Sequence, residues 1–210
     1  MTCAKKQNLP IVIDADGLFI LSTDTSIIKG YEKCILTPNL MEFKRIYEFE
    51  VIQNNIQKFI LKLKKNNCSK FKNEGEYDET KNFSTLNLQC EAVKKLAQKL
   101  ENVTIIKKGN VDIISDGRDV LLNDAEGMPK RCGGIGDLLS GAIGTFTYWC
   151  NTNKDATNNL NQNSNMIACY AAGVLIKECS KFAFTKYHRA VLAVDIIEQI
   201  AEIFYEMFDK

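Results

Sequence analysis

The sequence has 210 residues, of which 45% are hydrophobic and 25% are charged, a composition typical of one globular domain with a buried core. Its net charge of +1 argues against nucleic acid, or an acidic membrane, as a partner held by overall charge. Eight cysteines without CxxC spacing, and a single histidine, argue against a zinc site. They are typical of free thiols in a reducing compartment, which predicts a cytoplasmic protein.

The first residues resemble a secretion signal only briefly. Two lysines precede an apolar run, but Asp14 and Asp16 interrupt that run, so it cannot act as the core of a signal peptide. A mitochondrial form would need a leader that this N-terminus does not resemble. Since no stretch reaches the roughly 18 apolar residues of a membrane span, we also expect no membrane partner.

Apolar runs that end in polar residues predict strands buried on both faces of a parallel sheet. Three such runs occur, at residues 9–14, 34–39 and 103–109. Segments VDIISDG and RDVLLND predict a hairpin that turns at Asp116-Gly117. Helical periodicity occupies residues 40–49, 51–65, 89–100, 137–149, 165–184 and 193–208. The alternation predicts a single α/β domain over residues 1–210 with a mainly parallel sheet.

Two polar stretches interrupt this pattern. Residues 66–85 are polar and aperiodic, and residues 151–165 are rich in asparagine. Both are interpreted as long surface loops inserted into the domain. The alternative is that they bind a partner.

The segment EGMPKRCGGIGDLLSGAIGTF, residues 126–146, holds six of the twelve glycines. Gly133, Gly134 and Gly136 would let backbone N–H groups approach a ligand closely. A helix that begins at Asp137 would present free N–H groups and a positive dipole end to an anion, with Lys130 and Arg131 beside it. These features predict a site for nucleotide phosphates. The alternative is that the glycines only form a turn and allow close helix packing.

Asp137 has two interpretations. Aspartate is a common helix cap. Beside bound phosphates, however, a carboxylate would be repelled unless it took part in the chemistry. As a general base, Asp137 could take the proton from a hydroxyl group that is to be phosphorylated.

Three more segments follow predicted strands, at the sheet edge where α/β domains bind ligands. Asn39 and Glu42 fit a capping box, or contact a ligand there. Lys108 and Gly109 could meet phosphate or adenine. The carboxylates of the segment DADGL, residues 14–18, could hold Mg²⁺ through water, or cap the next turn.

The segments IDADGL, LTPNLMEFKR, KGNVDIISDG and EGMPKRCGGIGDLLSGAIG, in this order, resemble the ATP-dependent NAD(P)HX dehydratases. That resemblance implies a ribokinase-like, three-layer α/β/α fold with a mainly parallel central sheet. It also implies a repair reaction that uses ATP and Mg²⁺. ATP phosphorylates the ring hydroxyl of NADHX or NADPHX, and loss of phosphate restores NADH or NADPH.

The resemblance also assigns residues to roles. It implies that Asp137 meets the substrate hydroxyl as base. It implies a dinucleotide contact by Asn39, Leu40, Met41, Glu42, Phe43, Lys44 and Arg45. It implies an ATP site lined by Lys108, Gly109, Asn110, Val111, Asp112, Gly127, Met128, Pro129, Lys130, Arg131, Cys132, Gly133, Gly134, Ile135 and Gly136.

The sequence departs from the family pattern in three places. Ile135 stands where glutamine is usual, and KYHRAVLAVDII, residues 186–197, replaces a threonine-rich stretch. Family members also carry further chain before IDADGL that supplies early strands and a glycine-rich loop. We therefore expect this domain to lack its N-terminal strands, and the 210-residue chain to be a poor enzyme or none that keeps residual ATP binding.

Two other functions stay open at this point. One is a different ribokinase-like small-molecule kinase, which would share the glycine-rich segment and its aspartate. The other is a nucleotide-binding fragment without catalytic activity. The oligomeric state also stays open, with a homo-oligomer as one alternative.

Overall fold

The computed structural model describes residues 1–53, 85–152 and 163–210. Its sheet has five strands, in the spatial order β1-β2-β3-β4-β5. The strands are β1 (Ile11–Ile13), β2 (Cys34–Leu36), β3 (Thr104–Lys107), β4 (Asp112–Ser115) and β5 (Val120–Asn123). β1, β2 and β3 run parallel, whereas β4 is antiparallel to both β3 and β5.

Helices cover both faces of this sheet. They are α1 (Thr2–Lys6), α2 (Asp16–Leu21), α3 (Leu40–Tyr47), α4 (Leu86–Lys99), α5 (Ile135–Thr152), α6 (Ser164–Tyr187), α7 (Ala193–Ile197) and α8 (Ile200–Phe204). α3 continues as a π-helical turn over Glu48–Gln53, and α8 continues as another over Tyr205–Asp209. A 3₁₀ turn, His188–Ala190, follows α6.

The alternation of side chains along the strands builds two cores. Leu36, Ile105 and Ile113 face one cluster, which α2, α3 and α4 close with residues such as Phe43 and Leu96. The adjacent residues Ile35, Ile106 and Ile114 face the other cluster, which α5, α6, α7 and α8 close. Because successive side chains of a strand point to opposite faces, these apolar strands must be covered on both sides. The result is the expected three-layer α/β/α arrangement.

The predicted strands and the hairpin are confirmed, with shorter bounds than the apolar runs. β1 has core residues on both faces, since Ile11 and Ile13 pack against one cluster and Val12 against the other, but all three are only half-buried. Among the described residues, β2 is the one strand that pairs with β1, so β1 is the outermost strand on that side of the sheet.

The helix predicted over residues 193–208 is interrupted, because α7 ends at Ile197 and α8 begins at Ile200. The helix predicted over 51–65 lies outside the described residues, apart from residues 51–53 in the π-helical turn. Most of both predicted insertions also lies outside them. The margins of those insertions are not loops: Thr85 caps α4, and residues 151–152 and 164–165 belong to α5 and α6.

In the part of the chain that the structure describes, no helix combines the length and the apolar character needed to cross a membrane. All seven cysteines in these residues are free thiols, and Cys34, Cys169 and Cys179 are buried. Cys68 lies outside them.

Candidate active site

The sheet topology brings the candidate segments together at one edge. The carboxyl ends of the parallel strands β1, β2 and β3 share an edge, so Asp14, Asn39 and Lys108 follow strands that end there. The antiparallel strand β4 begins at this edge with Asp112, and β5 ends there at Asn123, the register partner of Asp112. The glycine-rich segment then leaves β5 and enters α5. We call this edge, with the first turn of α5, the candidate site.

The start of α5 differs from the prediction by two residues. The helix begins at Ile135, so Asp137 lies in its first turn and is not the N-cap. The Asp137 side chain is exposed. Gly134 precedes the helix with φ +92°, a left-handed conformation that favours glycine. Its carbonyl accepts a hydrogen bond from the Leu138 N–H at 3.0 Å. The first N–H groups of α5 have no acceptor inside the helix, so they favour a bound anion.

Gly136 allows an ion pair to approach this first turn. A Cβ atom added at Gly136 would lie 3.2 Å from Asp14 Oδ2 and 3.6 Å from Lys108 Nζ. Lys108 Nζ lies 2.9 Å from Asp14 Oδ1. The Ser140 hydroxyl donates to Asp14 Oδ2 at 3.1 Å. A cation from the end of β3 therefore lies against the start of α5, held by a carboxylate from the end of β1.

The pairing sets the protonation state of Asp14. Burial alone raises the pKa of this half-buried carboxyl. The hydrogen bond and the charge of Lys108 oppose burial and, with the Ala15 N–H and the Thr37 hydroxyl, leave the pKa of Asp14 below its ordinary value. Asp14 is therefore ionised at neutral pH. The residue after it, Ala15, has φ +46°, an unusual conformation for a residue with a side chain.

The expectation that Lys130 offers a free cation to the phosphates needs correction. Its ammonium group donates to the carbonyl of Arg189 at 2.6 Å and to that of Val191 at 3.0 Å. Lys130 therefore ties the glycine-rich segment to the stretch before α7. Arg131, its neighbour in the sequence, is exposed.

The remaining residues of the glycine-rich segment divide into a packed part and an open part. The Met128 N–H donates to the Ser180 hydroxyl at 3.3 Å, and Gly127 lies beside the stem of Lys177, so this end packs on α6. Pro129 is exposed and Cys132 half-buried. Gly133 is exposed, with open space where a side chain would extend. Ile135 packs partly against the core of α5 and α6.

The turn between β3 and β4 is built around a buried carboxylate. Asp112 Oδ1 accepts the Gly109 N–H at 2.9 Å, and Asp112 Oδ2 accepts an N–H of the Asn123 amide at 3.0 Å. Lys177 Nζ lies 3.3 Å from the same Oδ2 and donates to the Asn110 carbonyl at 2.8 Å. Burial raises the pKa of Asp112, and these partners offset only part of that effect.

The side chain of Asp112 therefore shapes the turn, while Gly109 and Asn110 are exposed and Val111 is half-buried. Of this predicted ATP segment, Lys108 is the residue whose charged group reaches the start of α5.

The predicted dinucleotide segment at the start of α3 contains residues that cap the helix and residues that are exposed at the site. Asn39 and Glu42 form the capping box: the Asn39 amide oxygen accepts the Met41 and Glu42 N–H groups at 2.9 and 3.0 Å, and Glu42 accepts the Asn39 N–H at 2.8 Å. Leu40 and Met41 are exposed hydrophobic residues at the site edge, 40% and 59% accessible. Large apolar side chains so exposed are available to a ligand.

Phe43 is a correction within this segment. Its side chain is fully buried in the core beneath α3, with its ring centroid 5.8 Å from that of Tyr47. It cannot contact a substrate, because the apolar face of α3 must cover the sheet. Lys44 is half-buried and Arg45 is exposed.

Sequence reasoning missed three side chains that shape the site. The sequence predicts a metal-binding or capping role for Asp14, whereas its carboxylate pairs with Lys108. Ser140 and Lys177 were not singled out. Ser140 lies five residues after Ile135 in α5, and Lys177 lies on α6, distant from the site in sequence. Only the position of Asp14 directly after a strand could have indicated its role.

No group of three or more His, Cys, Asp or Glu side chains in the described ranges is placed to hold a metal ion. Mg²⁺ is commonly held by one or two carboxylates together with the phosphates of a nucleotide. Of the carboxylates that the sequence predicts as water-mediated Mg²⁺ ligands, Asp14 is paired with Lys108 and Asp16 is exposed.

The comparison with known families decides the family. A family model described as NAD(P)H-hydrate dehydratase matches residues 1–202. The chain belongs to the NAD(P)H-hydrate dehydratase family.

Curated members of this family are similar over nearly the whole chain. The chain is 38% identical to an ATP-dependent (S)-NAD(P)H-hydrate dehydratase of Ciona intestinalis over 206 residues, which is 98% of this chain and 48% of the relative. The corresponding protein of Entamoeba histolytica is 36% identical over 97% of this chain and 55% of the relative. The chain thus spans about half the length of the curated family members it matches.

Solved structures confirm the fold expected for this family. A ribokinase-like superfamily protein from Enterococcus faecalis superposes with a TM-score of 0.56 at 19% identity, covering 94% of this chain and 53% of that one. A hydroxyethylthiazole kinase from Pyrococcus horikoshii gives 0.59 at 16% identity, covering 97% and 62%. These likenesses establish the ribokinase-like fold alone, because identity this low does not carry function.

Proposed function

We propose that this chain carries the ATP site and the catalytic base of an ATP-dependent (S)-NAD(P)H-hydrate dehydratase. Its substrates would be NADHX, NADPHX and ATP, and its products NADH or NADPH, ADP and phosphate. Family membership and the names of the curated relatives support this reaction. The free thiols among the described residues support a reducing compartment, and we propose the cytoplasm.

The observation that carries the proposal is the state of the carboxylates at the candidate site. Asp14 is paired with Lys108, and Asp112 is buried among its donors. Glu42 is engaged in the capping box of α3. Among these carboxylates, Asp137 is the exposed one, and it lies in the helix turn that favours an anion.

The proposed chemistry follows from this placement. The phosphates of ATP would lie at the first turn of α5, where free N–H groups and Lys108 offset their charge. Asp137 would take the proton of the substrate hydroxyl. The hydroxyl oxygen would form a bond to the γ-phosphorus of ATP, while the bond between that phosphorus and the ADP oxygen breaks. The C–O bond of the phosphorylated ring then breaks and releases phosphate, while the adjacent ring carbon loses a proton to solvent, so that the carbon–carbon double bond of the dihydronicotinamide is restored. When bound with ATP, Mg²⁺ would neutralise further phosphate charge.

Exposed side chains at the start of α3 are the proposed contacts to the hydrated dinucleotide. Leu40 and Met41 offer apolar surface to it, and Arg45 offers a cation one turn further along the helix. Phe43 is not part of this proposal. Lys108 to Val111 and Arg131 to Gly136 are the proposed ATP contacts, with Gly127 to Lys130 and Asp112 as the framework that holds them.

The test is to express residues 1–210 and supply hydrated NADH with ATP, following the return of dihydronicotinamide absorbance. We expect an ATP-dependent return that Asp137→Asn lowers by about 10²- to 10⁴-fold while sparing ATP binding, because asparagine keeps the shape but cannot take a proton. The decisive readouts are the dependence on ATP and on Asp137, not the absolute rate. A return of absorbance that proceeds equally well without ATP would refute the dehydratase assignment. A loss below about tenfold in Asp137→Asn would refute the role of Asp137 as base.

A further inference from the structure

The Asp14–Lys108 ion pair connects three segments of the candidate site. Asp14 follows β1, Lys108 follows β3, and Ser140 stands in the second turn of α5. Both oxygens of Asp14 are used, one by each partner. The side chains of Lys108 and Asp14 are 23% and 16% exposed, so this pair is well shielded but reachable from solvent.

The pair also fixes where the positive charge lies. Lys108 Nζ lies 3.6 Å from the position that a Cβ of Gly136 would occupy, directly at the first turn of α5. Lysine has a flexible stem, and ordering it costs free energy that either the protein or the ligand must supply. The ion pair with Asp14 orders the Lys108 side chain before a ligand binds, so the ligand does not have to meet this cost. The backbone adds to this, since the Lys108 N–H donates to the Pro38 carbonyl at 2.9 Å.

We infer that Asp14 is a positioning residue that holds the Lys108 ammonium at the first turn of α5, so that cation and helix start form one preorganised site for nucleotide phosphates. This inference rests on the proposed function, because it concerns the same ATP site. Asp14 carries a negative charge beside that site. If it acted only through its own charge, removing it would strengthen the binding of an anion. The inference requires the opposite result, namely that removing the Asp14 carboxylate weakens the binding of nucleotide phosphates.

The experiment is isothermal calorimetry of the 210-residue chain with MgATP, comparing Asp14→Asn with the wild type. We expect affinity to fall about tenfold, the size expected when the ligand must order a lysine that the protein no longer holds. Asp119→Asn is the matched control. It removes one exposed carboxylate from the β4–β5 turn, which lies at the end of the strands opposite to the candidate site. It should leave the affinity unchanged.

A double-mutant cycle separates positioning from a general structural effect. In a Lys108→Met background, Asp14→Asn should no longer weaken MgATP binding, and should strengthen it as a repulsive charge is removed. An Asp14→Asn effect of equal size in both backgrounds would overturn the inference, and so would unchanged or tighter binding in the single variant. Should Asp14→Asn fail to unfold cooperatively, Ser140→Ala gives a second measure. It frees one oxygen of Asp14 and should weaken MgATP binding by less than about tenfold, and unchanged or tighter binding in Ser140→Ala would overturn the inference.

The outcomes distinguish this inference from the proposed function. MgATP binding that depends on Asp14, in a chain that restores the absorbance equally well without ATP, supports the inference while the dehydratase assignment fails. Conversion with affinity independent of Asp14 supports the assignment and overturns the inference. Absence of MgATP binding in the wild type overturns both.

Discussion

Replacing Gly134 by alanine tests how the glycine-rich segment is held. Gly134 has φ +92°, where a residue with a Cβ is strained by about 1–3 kcal/mol. The new Cβ would also lie 2.9 Å from the Cβ of Ala193 at the start of α7, well inside normal contact distance. Relieving such an overlap typically costs about 1–3 kcal/mol.

Alanine also restricts the unfolded chain, which returns about 0.4–1 kcal/mol to the folded state. We therefore expect Gly134→Ala to lower the free energy of unfolding by about 2–3 kcal/mol, since the backbone strain and the overlap are relieved partly by the same movement. For a chain of this size that corresponds to a fall in Tm of roughly 4–12 °C. Denaturant unfolding followed by circular dichroism measures it.

Gly133→Ala is the matched control, because it makes the same change one residue earlier. Nothing lies within 4 Å of a Cβ added at Gly133. We expect its free energy of unfolding to stay within about 1 kcal/mol of the wild type. If Gly134→Ala unfolds like the wild type, or if both variants lose the same free energy, the conformational argument is wrong. A Gly133→Ala variant that is stable but binds ATP more weakly would place the nucleotide at this open part of the segment.

Two further predictions concern charged groups. Lys130→Met keeps the aliphatic stem but removes the donor to the Arg189 and Val191 carbonyls, so the free energy of unfolding should fall by about 1–3 kcal/mol. Lys130→Arg, which keeps a donor, should lose less stability. Equal stability of Lys130→Met and the wild type would contradict the role of these two hydrogen bonds. The folded-state pKa of Asp14 lies below the ordinary value of 3.8, so its contribution to stability is present above that value and is lost as pH falls through the lowered pKa. The wild type should therefore lose stability more steeply than Asp14→Asn below about pH 4, as denaturant midpoints against pH would show, and parallel profiles would contradict this.

The sheet edge that carries the site was predictable from the sequence. Three apolar runs, each followed by polar residues, and a hairpin turned by Asp116-Gly117 are enough to place Asp14, Asn39 and Lys108 at one edge. This works because the pattern of a parallel sheet fixes the direction of its strands. The half-buried state of β1 was not predictable, since an apolar run does not say whether a strand is central or at an edge.

The roles of the lysines could not be predicted. Lys130 and Lys108 both stand near glycines in the sequence, but Lys130 binds carbonyl groups of residues about sixty positions later. Lys108 instead reaches the start of α5. Such contacts depend on how α6 and α7 pack, and hydrophobic periodicity specifies that packing only loosely. The burial of Phe43 could not be predicted for a similar reason. Phe43 belongs both to the family motif and to the apolar face of α3, and the packing of α3 on the sheet places its side chain in the core.

The glycine-rich segment is anchored on both sides of its open part. Before it, Lys130 is bound to the stretch that leads into α7, and Met128 is bound to α6. After it, Asp14 is bonded to Ser140 of α5 and lies against Gly136. Gly133, between these anchors, is exposed with open space around it. A ligand that meets backbone held in this way has less chain to order on binding, so more of its interaction energy appears as affinity. Changes at Lys130 and Met128 should therefore act through the stability of the fold, a change at Asp14 should act through the position of Lys108, and changes at Gly133 should act directly on the ligand.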